Sequence, residues 1–211
     1  MSNTNKIILG VLAIIVVLMV YGFSRGDSSN TILPASAIAT STSAGALPGL
    51  QTSFSPWSTE IDHLRERLDL INLPALSAEG TALHTHQHLD IFVHGEPITV
   101  PAGIGINERA GFISPIHTHD ATGIIHIESP IIQAFTLGQL FDIWGVQLTQ
   151  NSLGGYVADA SSTLQVYVNG TKFVGNPRDV QLTAREEIEV IFGTPSELPK
   201  LISSYSFSPN L

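Results

Sequence analysis

Seven of the chain's eight histidines fall between residues 84 and 126. "HTHQHLD" (84–90) sets His84, His86 and His88 at every second position, "HTHD" (117–120) adds His117 and His119, and "GIIHIE" (123–128) adds His126. Borderline ions such as Cu(II) and Zn(II) take imidazole nitrogens as ligands, at ~2.0–2.1 Å for zinc. On a strand, residues i and i+2 share a face, so each H-x-H pair can turn two rings toward one ion. The expected ligands are His86, His88, His117 and His119, with His126 close behind. His84 is weaker because strand ends fray, and His94 because Gly95 starts a turn. Asp90, Asp120 and Glu128 are placed to accept the second ring N–H, as carboxylates beside metal-bound histidines usually do. A competing reading needs no ion: alternating histidines can form a hydrogen-bonded ladder with Asp90 and Glu128 and titrate near ~6.5 as a pH sensor. His63, the eighth histidine, reads as a solvated helix residue.

Strands must hold these rings. In "LDIFVHGEPITVPAG" (89–103), Gly95-Glu96 suits a two-residue hairpin loop. That register sets Val93 against Ile98, Ile91 against Val100 and Leu89 against Ala102, all on one apolar side. His86, His88, Asp90 and Phe92 take the other side. In "IHTHDATGIIHIE" (116–128), turn residues occupy 120–123, and a loop of two residues or of four places His117 opposite His126. Directly opposed Cβ atoms are ~5 Å apart, close enough for two imidazoles to share an ion. Ile125 and Ile127 then point to the core, and Glu128 stays on the histidine side.

The remaining elements complete a mainly β (α+β) domain over 57–200. "STEIDHLRERLDLI" (58–71) predicts a helix with Ile61, Leu64, Leu68 and Ile71 on its apolar stripe and Ser58 or Thr59 as cap. "FTLGQLFDIWGVQL" (135–148) predicts a short helix capped by Thr136, and "LQVYVNGTKFV" (164–174) a hairpin turning at Asn169-Gly170. "EEIEVIFG" (186–193) reads as an alternating strand whose acids line a solvated edge. Residues 201–211 read as an irregular tail. Antiparallel hairpins would form a sandwich or a partly open barrel, with two or three short helices.

Residues 7–23, "IILGVLAIIVVLMVYGF", carry no charge and lie between Lys6 and Arg25. As a helix they span ~25 Å, enough to cross a bilayer with slight thinning. Residues 1–26 therefore read as a membrane anchor, or as an export signal cleaved near "ASA" (35–37). Residues 27–56, rich in Ser, Thr, Ala and Pro, read as a flexible linker. From residue 27 onward the formal charge is −11, from seven Lys/Arg and eighteen Asp/Glu. Such a surface disfavours nucleic acid. Cysteine is absent, so any metal must be held by imidazole and carboxylate. "NGT" (169–171) matches a glycosylation acceptor but reads as the hairpin turn.

"GTALHTHQHLDIFVHGEPITVPAGIGI", "HTHDATGIIHIES" and "FTLGQLFDIWG" together resemble a family of membrane-anchored or secreted prokaryotic hypothetical proteins, over about 60–193. The resemblance implies an exported, anchored domain and carries no activity. A weaker likeness is to cupins, through Gly80 with His86-x-His88 and "GEPITVPAG", and implies a cupin-like barrel. It lacks the acid expected near Phe92 and has Ile106 where a second histidine is expected.

The expected protein is a cell-membrane, single-pass protein whose extracytoplasmic domain binds copper or zinc through the histidine cluster. A metal-dependent hydrolase or oxidase at the same site is the alternative, requiring an open ligand position and Glu128 or Asp120 as base. The third reading is an adhesion or assembly module with structural histidines.

Overall fold

The computed structural model describes residues 47–211. The expected anchor over 1–26 and most of the expected linker lie outside the described residues. Among the described residues, no helix is long and apolar enough to cross a membrane.

The domain is mainly β and is built on one mixed sheet. Its longest strand is β1, Leu83–Val93, and the short β2, Glu96–Ile98, follows it. The small β3 (Ile106–Asn107) and β4 (Phe112–Ile113) pair with each other, then come β5 (Ile116–His117) and β6 (Ile124–Ser129). After a helix come β7 (Ser152–Leu153) and β8 (Tyr156–Val157), a second small pair, then β9 (Thr163–Val168), β10 (Thr171–Lys172) and β11 (Glu187–Gly193). The main sheet runs β10-β9-β11-β1-β6-β5, with β2 also paired to β1. It does not close on itself, so the cupin-like barrel is not formed, and the arrangement is consistent with an α+β sandwich.

β1 is long enough to serve two partners in succession. Its first half, Leu83 to His88, pairs antiparallel with β6; its second half, His88 to Val93, pairs parallel with β11 on the other edge. Side chains alternate between faces along each strand. Leu89, Ile91 and Val93, with Ile125 and Ile127 of β6 and Ile188, Val190 and Phe192 of β11, form one apolar face. Two helices cover it. The first, α1 (Leu64–Leu70), contributes the fully buried Leu64 and Leu68; the second, α2 (Leu137–Trp144), contributes Leu140, Phe141 and Trp144. Each fully buried aliphatic or aromatic side chain contributes roughly 1.5–3 kcal/mol relative to exposure. The opposite face of the sheet carries the histidines and acids.

Local chemistry explains several elements. Thr136 caps α2 in a reciprocal box with Gln139, and Gly145 ends it in the left-handed region at φ 77°. Asn169-Gly170 turns the β9–β10 hairpin with both residues at positive φ, the geometry a type I′ turn requires. The β1–β2 turn differs from expectation. His94 and Gly95 hold the two positive-φ positions, so Ile91, not Val93, opposes Ile98. A shift of two residues preserves which side chains share a face, but Val100 and Ala102 leave the ladder. The first helix is also shorter than 58–71. Glu60, rather than Ser58 or Thr59, receives the His63 N–H (3.2 Å) at its start, and the helix begins only at Leu64.

The folded body starts before Trp57. Gln51 N–H donates to the Gly145 carbonyl at 2.7 Å, and Arg67, fully buried, reaches the Pro48, Glu60 and Ile143 carbonyls as well as the Glu60 carboxylate. Pro48 and Gln51, within the last ten residues of the expected linker, thus bond to the folded body. At the other end, the irregular tail lies against the polar face of the sheet: Ile202 N–H donates to Glu189, and Tyr205 stacks on His88.

Candidate metal centre

Three adjacent strands place the histidine row. His117 of β5 opposes His126 of β6, as the hairpin chemistry predicts. His126 in turn opposes His86 of β1 on its other side, so the three rings form a line across the sheet. One step along, His84 opposes Glu128. His119 follows His117 by two residues, just beyond the end of β5. His86, His117 and Glu128 are buried, His126 is half-buried, and His84 and His119 are exposed at the rim.

The donor atoms converge. The Nε2 atoms of His84 and His86 are 3.2 Å apart, and so are those of His117 and His119. Two nitrogens bound tetrahedrally at ~2.0–2.1 Å lie ~3.3 Å from one another, so both pairs sit at ligand spacing. Glu128 Oε1 lies 3.3 Å from His84 Nε2, 3.4 Å from His126 Nδ1 and 4.0 Å from His117 Nε2. Two overlapping quartets result: His84, His86, His126 and Glu128, and His117, His119, His126 and Glu128, each with its donor atoms within 4.8 Å of one another. Either group could hold a metal ion.

The protonation states suit that role. His117 Nδ1 lies 3.0 Å from the Ser114 carbonyl, which can only accept, so Nδ1 carries the hydrogen and Nε2 turns its lone pair into the cluster. Burial outweighs that bond and holds the His117 pKa down at about 4. Burial, then the neighbouring His119, His86 and His117, hold His126 down at about 3. His86 is lowered by burial and by His84. These rings are therefore neutral near pH 7, as ligands must be. Burial, then the nearby Glu79 carboxylate, pushes Glu128 up to about 7. His126 Nδ1 is buried and has no hydrogen-bond partner. Leaving such a nitrogen unsatisfied costs ~1–3 kcal/mol.

His88 does not join this group. It lies on the same face of β1, yet Nδ1 contacts Glu187 at 2.8 Å and Nε2 contacts the Thr122 carbonyl at 2.8 Å. Asp90, expected to serve the histidine row, lies 3.7 Å from His88 instead. Asp120 accepts from the backbone N–H and hydroxyl of Thr122 rather than from a histidine. Glu128, expected to orient a ring or to act as a base, points its oxygen into the donor set itself. His84, one of the two weaker candidates, is part of that set. His94 pairs with Glu197 at 3.0 Å, and His63 with Glu60 at 2.8 Å, both away from the row.

Three acids were invisible as site residues. Glu79 reaches His119 at 3.5 Å from a loop that has no periodic signal. Glu187 and Glu189 were expected on a solvated edge and are fully buried. The signal that could have found them is their alternation with Ile188 and Val190, which puts both acids on one face of a strand. Comparison of the chain with protein-family models, with curated proteins and with solved structures gives no match.

Proposed function

We propose that the domain is a transition-metal-binding protein, with Cu(II) as the preferred ion and Zn(II) next, held by the row His84, His86, His117, His119 and His126 with Glu128. The observation that supports this best is the convergence of imidazole nitrogens at ligand spacing around His126 Nδ1, a buried nitrogen with no hydrogen-bond partner. A donor set of nitrogen and carboxylate without thiolate favours Cu(II) over Zn(II) by intrinsic affinity order. The quartets share His126 and Glu128, so one ion fills either seat, and two ions would be bridged by Glu128.

Five imidazoles and a carboxylate exceed what one ion needs while keeping a position free for water. Binding, buffering or delivery of the ion therefore fits better than hydrolysis or oxidation. The apolar 7–23 stretch and the thiol-free composition favour an exported domain tethered to a membrane, where copper and zinc are met without competing cysteines.

The test is elemental analysis of the untagged full-length chain after incubation with Cu(II) or Zn(II) and desalting. His86→Ala, His117→Ala and His126→Ala are expected to lose at least half of the bound metal, and His63→Ala none. Equal metal content in all four variants would refute the assignment.

A further inference from the structure

The polar face of the sheet holds a second, chemically different group. In the parallel register between β1 and β11, His88 lies beside Glu187 and Asp90 beside Glu189. Side chains so paired share a face, and four titratable groups therefore meet in a patch two residues long on each strand. Glu187 and Glu189 are both fully buried, and His88 is 5% exposed. The cover is the chain's own tail: the Tyr205 ring lies flat on His88 at 3.8 Å between centroids, and Ile202 N–H donates to Glu189 Oε2 at 3.0 Å.

The hydrogen bonds leave this patch short of positive charge. Thr122 offers only a carbonyl, so His88 Nε2 must donate to it. Nδ1 faces Glu187 Oε2 at 2.8 Å; burial opposes a charge on the ring, but the Glu187 and Asp90 carboxylates raise the His88 pKa and favour a cation at this place. Either a shared proton or a metal ion can fill that contact. One further oxygen on each of the two buried glutamates, Glu187 Oε1 and Glu189 Oε1, has no hydrogen-bond partner. No lysine or arginine forms an ion pair with Asp90, Glu187 or Glu189 among the described residues. Buried carboxylates persist when they are paired, protonated or metal-bound.

We propose that His88 Nδ1, Asp90, Glu187 and Glu189 form a second divalent-cation site, independent of the histidine row and selective for an oxygen-preferring ion of the Mn(II) class. Donor atoms of His88, Asp90 and Glu187 already lie within 4.8 Å of one another. One imidazole among carboxylates suits Mn(II), which accepts both donor types, whereas the imidazole-rich row suits copper. The Nε2–H bond to a backbone carbonyl is the arrangement that orients a metal-bound histidine. Tyr205 and Ile202 then cover the site on its His88 and Glu189 side.

The experiment is Mn(II) binding to the full-length chain, followed by electron paramagnetic resonance, for the unsubstituted protein, Glu187→Gln, Glu189→Gln and the double variant His117→Ala/His119→Ala. The expected result is a bound Mn(II) signal with coupling to one imidazole nitrogen, at least tenfold weaker binding in each glutamine variant, and unchanged Mn(II) binding in the double variant. Glu189→Gln keeps an oxygen that can accept from Ile202 N–H, so it reports even if Glu187→Gln fails to fold. Absence of Mn(II) uptake by the unsubstituted chain, or uptake by a folded Glu189→Gln protein equal to it, overturns the proposal. Loss of Mn(II) in the double variant also overturns it, because the ion would then sit in the row. The copper measurement on His86→Ala and His126→Ala stands or falls separately.

Discussion

At the scale of residues, the candidate centre depends on rings kept neutral by burial. His126 shows the sign of the effect. Its folded pKa of about 3 lies below the ~6.5 of an unfolded chain. The stability tied to its neutral state is present above pH ~6.5 and is lost as pH falls toward the folded value, by up to ~1.4 kcal/mol per pH unit. In chelator-treated protein, His126→Gln removes that titration. Its stability relative to the unsubstituted chain is therefore expected to improve steadily from pH 6.5 to pH 4.5 in urea melts; a constant difference would mean that the ring titrates normally. Gly123 belongs to the same scale. It sits at φ 86°, and a Cβ there would lie 2.6 Å from the Leu89 carbonyl and 3.0 Å from His88 Nε2. Gly123→Ala is expected to cost more than ~1–2 kcal/mol, the left-handed penalty alone, because contact with backbone is added. Chemical denaturation measures it.

At the scale of elements, what was legible in the sequence was local. The facing of His117 and His126 followed from the turn residues at 120–123, and the capping of α2 from Thr136. The shift of the β1–β2 hairpin was harder to foresee: His94 occupies a left-handed position that glycine, asparagine or aspartate usually fills. Long-range pairing had no local signature at all. Nothing near His86 says that β6 lies beside it, or that β11 runs parallel on the far edge. For that reason the seat of His126 between two histidines, the departure of His88 and Asp90, and the burial of Glu187 and Glu189 had to come from the fold. Two element-level expectations follow. Thr136→Ala removes one side of the α2 capping box and is expected to lower stability by ~1 kcal/mol in thermal or urea unfolding. Arg67→Leu leaves Glu60 without its buried partner and three carbonyls without a donor. A loss of ~3–5 kcal/mol is expected, and a well-folded variant of unchanged midpoint would show that α1 does not depend on this guanidinium.

At the scale of the whole molecule, the sheet separates two tasks. One face carries the apolar core under α1 and α2; the other carries the histidines and acids. Such an arrangement makes stability depend on what the polar face binds. At a free Cu(II) concentration one hundred times its dissociation constant, binding to the folded state alone adds ~2.7 kcal/mol. The full-length chain is expected to melt several degrees higher with Cu(II), and to return to its starting midpoint on addition of a chelator. An unchanged midpoint in excess copper would mean that the folded row does not bind the ion.

β1 carries His86 and His88 as successive side chains of one face. Such neighbours stand ~6.6 Å apart along a strand. Should the row and the covered acidic patch each hold an ion with unpaired electrons, the two spins would sit close enough to relax one another. Loading Mn(II) beside a copper-filled row would then broaden the copper resonance, turning the strand's own repeat into a ruler read by magnetism.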